Sequence, residues 1–195
     1  MMQKKAVLNA QPRSDNRLNL LDAAALRFCA RGYDGTSMRD IASDVGIKAG
    51  SIYYHFESKT ELLIAVHEEG IRRITSLVST AIVTANTPRD RLKAAMIAHL
   101  QEILSGGDYA QVVICELPRI DDPRRRRLID ARNKYELIFR NLIKDLGIGS
   151  EIKCSQLRFL IMGAMNWSPM WFNSDGQSPE EIAIGFLDLT TVKTD

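Results

Sequence analysis

Apolar side chains recur along most of this chain at intervals of three and four residues, the period of an amphipathic α-helix. In the segment 16–30, Leu18, Leu21, Ala25 and Phe28 fall on one helical stripe. No segment has the strict alternation and hairpin turns that predict paired strands. The pattern therefore predicts an all-α protein.

Capping residues, prolines and glycines divide this pattern into about nine helices. Ser58 and Glu61 have the spacing of a capping box, and Thr87-Pro88 and Ser178-Pro179 are start signals. The predicted helices are 16–30, 38–45, 49–56, 59–85, 88–105, 108–118, 123–147, 150–172 and a last one from Pro179. Residues 1–15 are predicted to be a flexible basic tail.

Two of the predicted helices, 38–45 and 49–56, are short and are joined by Gly46-Ile47-Lys48. That arrangement is typical of a helix-turn-helix motif. At about 100° per residue, Ile52 and Phe56 share the buried side of the second helix. The inner face is completed by Ile41, Ala42 and Val45. The outer side carries Gly50, Ser51, Tyr53, Tyr54 and His55.

An outer face of this composition suits the major groove of DNA. Gly50 lets the backbone approach base edges, and the hydroxyl of Ser51 can bond a base. The tyrosines and His55 can bond phosphate oxygens, and Lys48 and Lys59 can neutralise phosphates at either end. The start of the preceding helix offers Thr36, Ser37 and Arg39 to the opposite strand. The pattern alone leaves open that the tyrosines only brace the three helices.

The stretch TSMRDIASDVGIKAGSIYYHFESKTEL, residues 36–62, resembles the DNA-binding signature of the TetR family of bacterial transcriptional regulators. Its most specific part is Ile52–Phe56 followed by Ser58-Lys59. The resemblance implies DNA contacts from Thr36, Ser37, Lys48, Gly50, Ser51, Tyr53, Tyr54, His55 and Lys59. Many family members carry a hydroxyl residue where this chain has Lys48, so the operator sequence cannot be predicted.

The resemblance also implies two domains, a helix-turn-helix domain over 16–62 and a helical domain over 63–195 that binds a small molecule and dimerises. The predicted ligand-binding residues are Met96, His99, Ile103, Tyr135, Phe139, Met162 and Asn166. His99 and Asn166 are the strongest candidates, because a polar group on an apolar helix needs a partner. Each of the seven can alternatively belong to the plain hydrophobic core.

A homodimer is expected, because helix-turn-helix proteins pair to reach two half-sites of an inverted repeat. The interface is predicted on the last two helices, where Gly163-Ala164 would let a partner helix lie close. The candidate interface residues are Leu160, Met162, Trp167, Phe186, Leu187 and Leu189. The alternative is that these residues belong to the core of a single subunit.

The run Arg124–Arg127 is the densest cluster of charge in the chain. A solvated face paired with neighbouring aspartates is the ordinary interpretation. The segment 163–183 resembles family members that sense acyl-CoA thioesters, which would give these arginines a ligand phosphate to bind. An acyl-CoA is therefore a candidate effector.

The composition limits the classes of protein to which this chain can belong. The chain has 195 residues, 45% hydrophobic residues and a net charge of +2. Cys29, Cys115 and Cys154 are far apart, no enzyme motif or metal-ligand spacing is present, and no apolar run could span a membrane. We expect a cytoplasmic repressor, not an enzyme, with no cofactor or metal. The alternative is a helical protein-interaction module without sequence-specific DNA binding.

Overall fold

The computed structural model describes residues 13–115 and 125–190, and every regular element among them is helical. The all-α prediction is therefore confirmed. The α-helices are α1 (Arg13–Arg31), α2 (Met38–Asp44), α3 (Lys59–Ala81), α4 (Pro88–Leu104), α5 (Asp108–Cys115), α6 (Arg125–Asp145), α7 (Glu151–Trp167) and α8 (Pro179–Thr190). Two 3-10 helices, Ile52–Tyr54 and Ser168–Met170, complete the set.

Several helix ends differ from the sequence-based prediction. α1 begins at Arg13, inside the predicted tail, and residues 1–12 lie outside the described part. α3 ends at Ala81 instead of residue 85. Further along the same connection, Thr87 has an extended backbone, as a residue before a proline usually does. α7 ends at Trp167 instead of residue 172, because Pro169 has no amide hydrogen to continue the helix. The predicted ends at 118 and 123 lie outside the described residues.

The predicted α-helix 49–56 is wrong, because only one 3-10 turn forms there, Ile52–Tyr54. Its first bonds join residues three apart, Ser51 N–H to Lys48 O at 2.8 Å and Tyr54 N–H to Ser51 O at 3.2 Å. Glycine, a β-branched residue and two tyrosines have modest helix propensity, and 3-10 geometry is common in such short pieces. The predicted burial of Ile52 and Phe56 is confirmed, because these side chains are 0% and 1% exposed.

The apolar side chains form two clusters. The first joins α1, α2, the 3-10 turn, the beginning of α3 and two residues of α5. The second joins the rest of α3 with α4, α6, α7 and α8. α3 runs through both clusters, from Leu62 in the first to Val78 in the second. The helix-turn-helix part and the larger helical part are thus connected by a continuous helix.

α5 also contributes to both clusters. Tyr109 and Val112 pack in the first cluster, and Ala110 packs in the second. The phenol of Tyr109 donates a 2.8 Å hydrogen bond to Asp22 of α1. At Gly70 of α3, an added Cβ would lie 2.8 Å from a methyl group of Val113. A glycine at this position lets α5 pack closely against α3.

An ionic network strengthens the junction of α1, α3 and α5. Glu69 accepts hydrogen bonds from Arg72 and Arg73, each at 2.8 Å. Arg73 also reaches Asp22 at 3.1 Å, and its guanidinium carbon lies 4.0 Å from the centre of the Tyr109 ring. The pKa of the Glu69 carboxyl is lowered to about 2, chiefly by its hydrogen bonds to Arg72. Charged groups therefore hold three helices together between the two apolar clusters.

Candidate nucleic-acid interface and ligand cavity

The start of α2 is fixed by a capping box. The hydroxyl of Ser37 accepts a hydrogen bond from Asp40 N–H at 3.2 Å, and Ser37 N–H donates to the Asp40 carboxylate at 3.2 Å. The hydrogen bond from the Ser37 side chain lowers the pKa of that carboxyl. The cap fixes the first turn of α2, and Met38 and Ile41 on the inner side of this helix are buried. Arg39 on its outer side is exposed.

The outer side of the helix-turn-helix segment is open to solvent. Tyr54 is 94% exposed and Tyr53 is 55% exposed. Lys48, Gly50 and Ser51 are also exposed, and His55 is half-buried. A shallow groove joins this turn to the start of α2, and it is lined by Ser37, Met38, Arg39, Asp40, Ala49, Gly50 and Tyr53. The two segments predicted to contact DNA therefore form one continuous surface.

Thr36 and Lys59 differ from the prediction, because the protein uses both side chains internally. The Thr36 hydroxyl is buried and donates to Gly32 O at 2.9 Å. The Lys59 ammonium donates to Tyr33 O at 2.8 Å and to Thr36 O at 3.0 Å. It also lies 4.2 Å from the centre of the Tyr33 ring. Lys59 therefore ties the start of α3 to the loop between α1 and α2, with two of its three donors already occupied.

A cavity of about 730 Å³, which includes the space at its open mouth, lies between α3, α4, α5, α6 and α7. Its walls are mostly apolar, and its charged lining residues are Glu102, Arg132 and Glu136. The full lining is Gly70, Ile71, Ile74, His99, Glu102, Ile103, Ala110, Val113, Ile114, Arg132, Tyr135, Glu136, Met162 and Asn166. A mostly apolar lining with a few polar side chains is typical of a small-molecule site.

Of the predicted ligand-binding residues, His99, Ile103, Tyr135, Met162 and Asn166 line this cavity. Met96 and Phe139 do not line it, because both side chains are fully buried in the second apolar cluster. Arg132, Glu136 and Glu102 were missed by the sequence analysis, since a charged residue on a helix is usually solvated. The signal available was the spacing on α6, because Tyr135 and Glu136 lie three and four residues after Arg132 and so share one face of the helix.

His99 is held between two polar side chains inside the cavity wall. Its Nε2 lies 3.1 Å from Asn166 Oδ1, and its Nδ1 lies 2.6 Å from the phenol oxygen of Tyr135. Because Asn166 Oδ1 can only accept, Nε2 carries the proton and Nδ1 accepts from Tyr135. Burial lowers the pKa of His99 to about 4 and raises the pKa of Tyr135. Both rings are therefore neutral at physiological pH.

The free energy of unfolding is expected to fall by about 2 kcal/mol between pH 7.5 and pH 5 because of His99. The unfolded chain binds a proton below about pH 6.5, whereas folded His99 stays neutral down to about pH 4. Urea denaturation at several pH values measures this slope. His99→Gln should flatten it, and an unchanged slope in His99→Gln would contradict the assignment.

The outer faces of α7 and α8 carry large apolar side chains that remain exposed. Leu160 is 62% exposed, Trp167 is 65% exposed and Leu189 is 76% exposed. Phe159, Met170, Trp171 and Ile184 add to the same kind of surface. Met162 and Leu187, which were predicted as interface residues, are buried in the subunit's own core. Exposed apolar area of this extent marks an interaction surface.

The three described arginines of the run, Arg125, Arg126 and Arg127, do not line the cavity. Arg127 forms a paired hydrogen bond with Glu68 of α3, at 2.9 Å and 2.7 Å. Arg125 and Arg126 are exposed and do not line the cavity, and Arg124 lies outside the described residues. Arg127 is thus paired with a carboxylate, as the ordinary interpretation predicts, but the partner is Glu68 of α3 and not one of the neighbouring aspartates.

The described part of the chain contains no group of three His, Cys, Asp or Glu side chains placed to hold a metal ion. No helix in that part is long and apolar enough to cross a bilayer.

Two family models match this chain. Residues 20–66 match the bacterial regulatory proteins of the tetR family. Residues 85–192, more than half of the chain, match the tetracyclin repressor-like C-terminal domain. The chain belongs to the TetR family. The boundary between the two matches falls within α3 and the loop that follows it.

Individual proteins resemble this chain in sequence or in fold. The HTH-type transcriptional repressor KstR2 of Mycolicibacterium smegmatis is 34% identical over 129 residues, which are 65% of this chain and 62% of that protein. The chain thus matches about three fifths of KstR2's length. The structure of AibR in complex with isovaleryl coenzyme A and operator DNA has a TM-score of 0.78 at 24% identity, with 89% and 97% of the chains covered.

The structure titled superantigen PfiT overlaps to a similar degree. It has a TM-score of 0.81 and 33% identity, and the alignment covers 95% of this chain and all of that one. The same fold is therefore found in proteins with differently named activities.

Proposed function

We propose that this protein is a DNA-binding transcription regulator of the TetR family that acts as a homodimer and leaves its operator when a small molecule occupies the cavity. The observation that carries the proposal is the exposed face of the 3-10 turn. Tyr53 and Tyr54 have no hydrogen bond or ring contact within the described residues, while Ile52 and Phe56 on the other side are buried. Two exposed tyrosines on a fixed turn are available to a partner outside the chain.

The proposed DNA contacts divide by chemistry. Gly50, Ser51 and Tyr54 face the base edges, where a small backbone and hydroxyl groups can read a groove. Lys48 and Arg39 neutralise phosphates of the two strands, and backbone N–H groups at the start of α2 assist. Ser37, Tyr53 and His55 are the remaining proposed phosphate contacts. Thr36 and Lys59 serve by positioning the loop before α2.

The proposed dimer forms through α7 and α8. The exposed Trp167, Leu160 and Leu189 supply the apolar area that an obligate homodimer buries. Gly163 and Gly185 are exposed, and an added Cβ at either would meet no atom within 4 Å. Two smooth helix faces of this kind allow a partner's helices to approach closely.

The proposed coupling between the cavity and the DNA-facing turn runs through α3. α3 begins at Lys59 beside the DNA-facing turn, and Gly70, Ile71 and Ile74 of the same helix line the cavity. A ligand that favours one tilt of α3 changes the distance between the two DNA-facing turns of the dimer. The shift can be no larger than the difference in the ligand's affinity for the two states. Typical couplings are about 1–3 kcal/mol, or roughly 5- to 150-fold in operator affinity.

Repression is the proposed direction of regulation, since KstR2 is named a repressor. An acyl-CoA thioester is the proposed effector class, supported by the fold that this chain shares with the AibR complex with isovaleryl coenzyme A. The proposed division into a DNA-binding part, 16–62, and a ligand-binding part, 63–195, follows the two apolar clusters except at α5 and at Leu63, Ala65 and Val66 of α3, which pack in the first cluster. We propose no catalytic activity and a cytoplasmic location, where the operator is accessible.

The experiment that tests this function is a mobility shift with DNA from upstream of the protein's own gene, at several salt concentrations. We expect specific binding that weakens steeply with salt and a footprint with two-fold symmetry. Addition of isovaleryl coenzyme A or other thioesters should release the DNA. Equal affinity for every DNA sequence would contradict the proposal.

A protein-interaction module is the second candidate, favoured by the overlap with the structure named a superantigen. In that case the exposed tyrosines would contact a protein. The mobility shift separates the two candidates, because an interaction module would bind no operator at any salt concentration.

A further inference from the structure

We infer that Arg132 binds the anionic group of the effector, so that the cavity selects an apolar ligand that carries a carboxylate or a phosphate. The inference rests on the proposed function, in which a small molecule occupies this cavity. It names the chemistry of that ligand and one side chain that recognises it.

Arg132 differs from the other arginines around the helical domain. It is half-buried, it lines the cavity, and it forms no ion pair within the described residues. By contrast, Arg158, Arg127 and Arg73 are each paired with a carboxylate. A guanidinium is always charged and carries five N–H donors. One that stands at an apolar cavity without a carboxylate partner is available to a ligand.

The natural partner of Arg132 is already occupied. Glu136 lies four residues later on α6, the spacing at which helical ion pairs form. Glu136 instead accepts a hydrogen bond from Arg158 of α7. Arg158 is itself fixed, because its guanidinium carbon lies 4.3 Å from the centre of the Phe159 ring and its side chain is only 16% exposed. The pair neutralises Glu136 and leaves Arg132 unpaired.

The remaining cavity walls favour a ligand with an apolar body. Ile71, Ile74 and Ile103 are buried and line the cavity together with Ala110, Val113, Ile114 and Met162. His99 is neutral and both of its ring nitrogens are engaged, so it adds no charge. A ligand of this class would place its chain against the apolar walls and its charged end at Arg132. A guanidinium binds carboxylate and phosphate oxygens in bidentate geometry.

Glu102 of α4 is the cavity residue that would favour a ligand of the opposite charge, a cation. Its carboxylate lines the cavity and has no ion pair among the described residues. A cationic ligand at Glu102 is therefore the competing assignment, and the experiment includes one. Arg132 is preferred because the arrangement of Glu136 and Arg158 keeps an available guanidinium beside the cavity, whereas no such arrangement surrounds Glu102.

Isothermal titration calorimetry with the full-length protein tests the inference. The probes are octanoate, octanoyl-CoA, methyl octanoate and octylamine. We expect at least one of the two anions to bind at least tenfold more tightly than the neutral ester. Arg132→Gln should abolish that preference and Arg132→Lys should retain part of it. Arg126→Gln, an exposed arginine of the same helix, is the matched control and should bind like the unmodified protein.

The two anionic probes, octanoate and octanoyl-CoA, distinguish a carboxylate ligand from a phosphate ligand. Binding of octanoate that depends on Arg132 identifies a carboxylate ligand, whereas binding of octanoyl-CoA alone identifies a phosphate. The inference is overturned if octylamine binds best, if the ester matches the anions, if neither anion binds, or if Arg126→Gln has the same effect as Arg132→Gln. Melting temperatures of the variants exclude misfolding as the cause.

Failure of this inference is distinguishable from failure of the proposed function. Arg132→Gln should bind operator DNA with unchanged affinity, because Arg132 lies in the helical domain and away from the DNA-facing turn. Anion binding that depends on Arg132, without operator binding by the unmodified protein, would leave the inference intact and overturn the regulator assignment. Release of the operator by a neutral ligand would do the reverse.

Discussion

Replacement of Tyr54 by alanine is expected to lower operator affinity by about 30-fold or more without changing the stability of the protein. A contact with a base edge contributes about 1–3 kcal/mol, and a dimer loses it in both half-sites. The side chain is 94% exposed and forms no hydrogen bond or ring contact within the described residues, so its removal leaves the core intact. Mobility shifts and thermal melting of the same preparations measure the two quantities.

Two further variants control for this result. Tyr54→Phe keeps the ring and removes only the hydroxyl, so it separates a hydrogen bond from stacking on a sugar or a thymine methyl. Leu26→Ala removes a different exposed apolar side chain, which is on α1 and 55% exposed, and should leave operator affinity unchanged. Unchanged affinity in Tyr54→Ala would remove the 3-10 turn from the DNA interface.

Phe139→Ala is expected to reduce the free energy of unfolding by about 3–5 kcal/mol, the usual cost of truncating a buried phenylalanine. Phe139 is 0% exposed, and its ring packs edge-on against Tyr135 and His99, with centroids 5.7 Å and 6.0 Å away. Urea denaturation measures the loss. Leu137→Ala, two residues away on the exposed side of α6, should change the free energy by about 0.5 kcal/mol or less.

This comparison also decides the role of Phe139. The sequence predicted a ligand contact, whereas the structure places the side chain in the core beyond the cavity wall. A stability change below about 1 kcal/mol, together with lost ligand affinity, would contradict the core assignment. A large stability change with ligand affinity preserved in the folded fraction would support it.

The helix-turn-helix segment was predictable because its signals are local. Ser37 and Asp40 supply a capping box, and Ile52 and Phe56 have the spacing of one buried side. The type of turn was not predictable, because the 3-10 turn spans only Ile52–Tyr54 and Phe56 lies beyond it, so the spacing of the two apolar residues does not report the hydrogen bonds inside the turn. Bonds between residues three apart distinguish a 3-10 turn from an α-helix only in the folded chain.

The cavity was predictable only in part, for a different reason. His99 and Asn166 stood out because polar groups on apolar helices need partners, and they are partners of each other. Met96 and Phe139 share the same buried stripes, but sequence periodicity cannot tell which side of a buried residue faces a gap. Arg132 was missed because its importance depends on Arg158, which occupies the carboxylate that Arg132 would otherwise bind.

The packing of α5 limits how this molecule can be cut or recombined. A fragment that stops at residue 66 would keep the DNA-facing turn and lose Tyr109 and Val112, which fill its apolar cluster from more than 40 positions further along the chain. Such a fragment would expose the surface of α1 that α5 covers. A chimaera that joins this DNA-facing part to the helical domain of another family member therefore has to bring α5 with it, or replace Asp22 and its apolar neighbours to match the foreign helix.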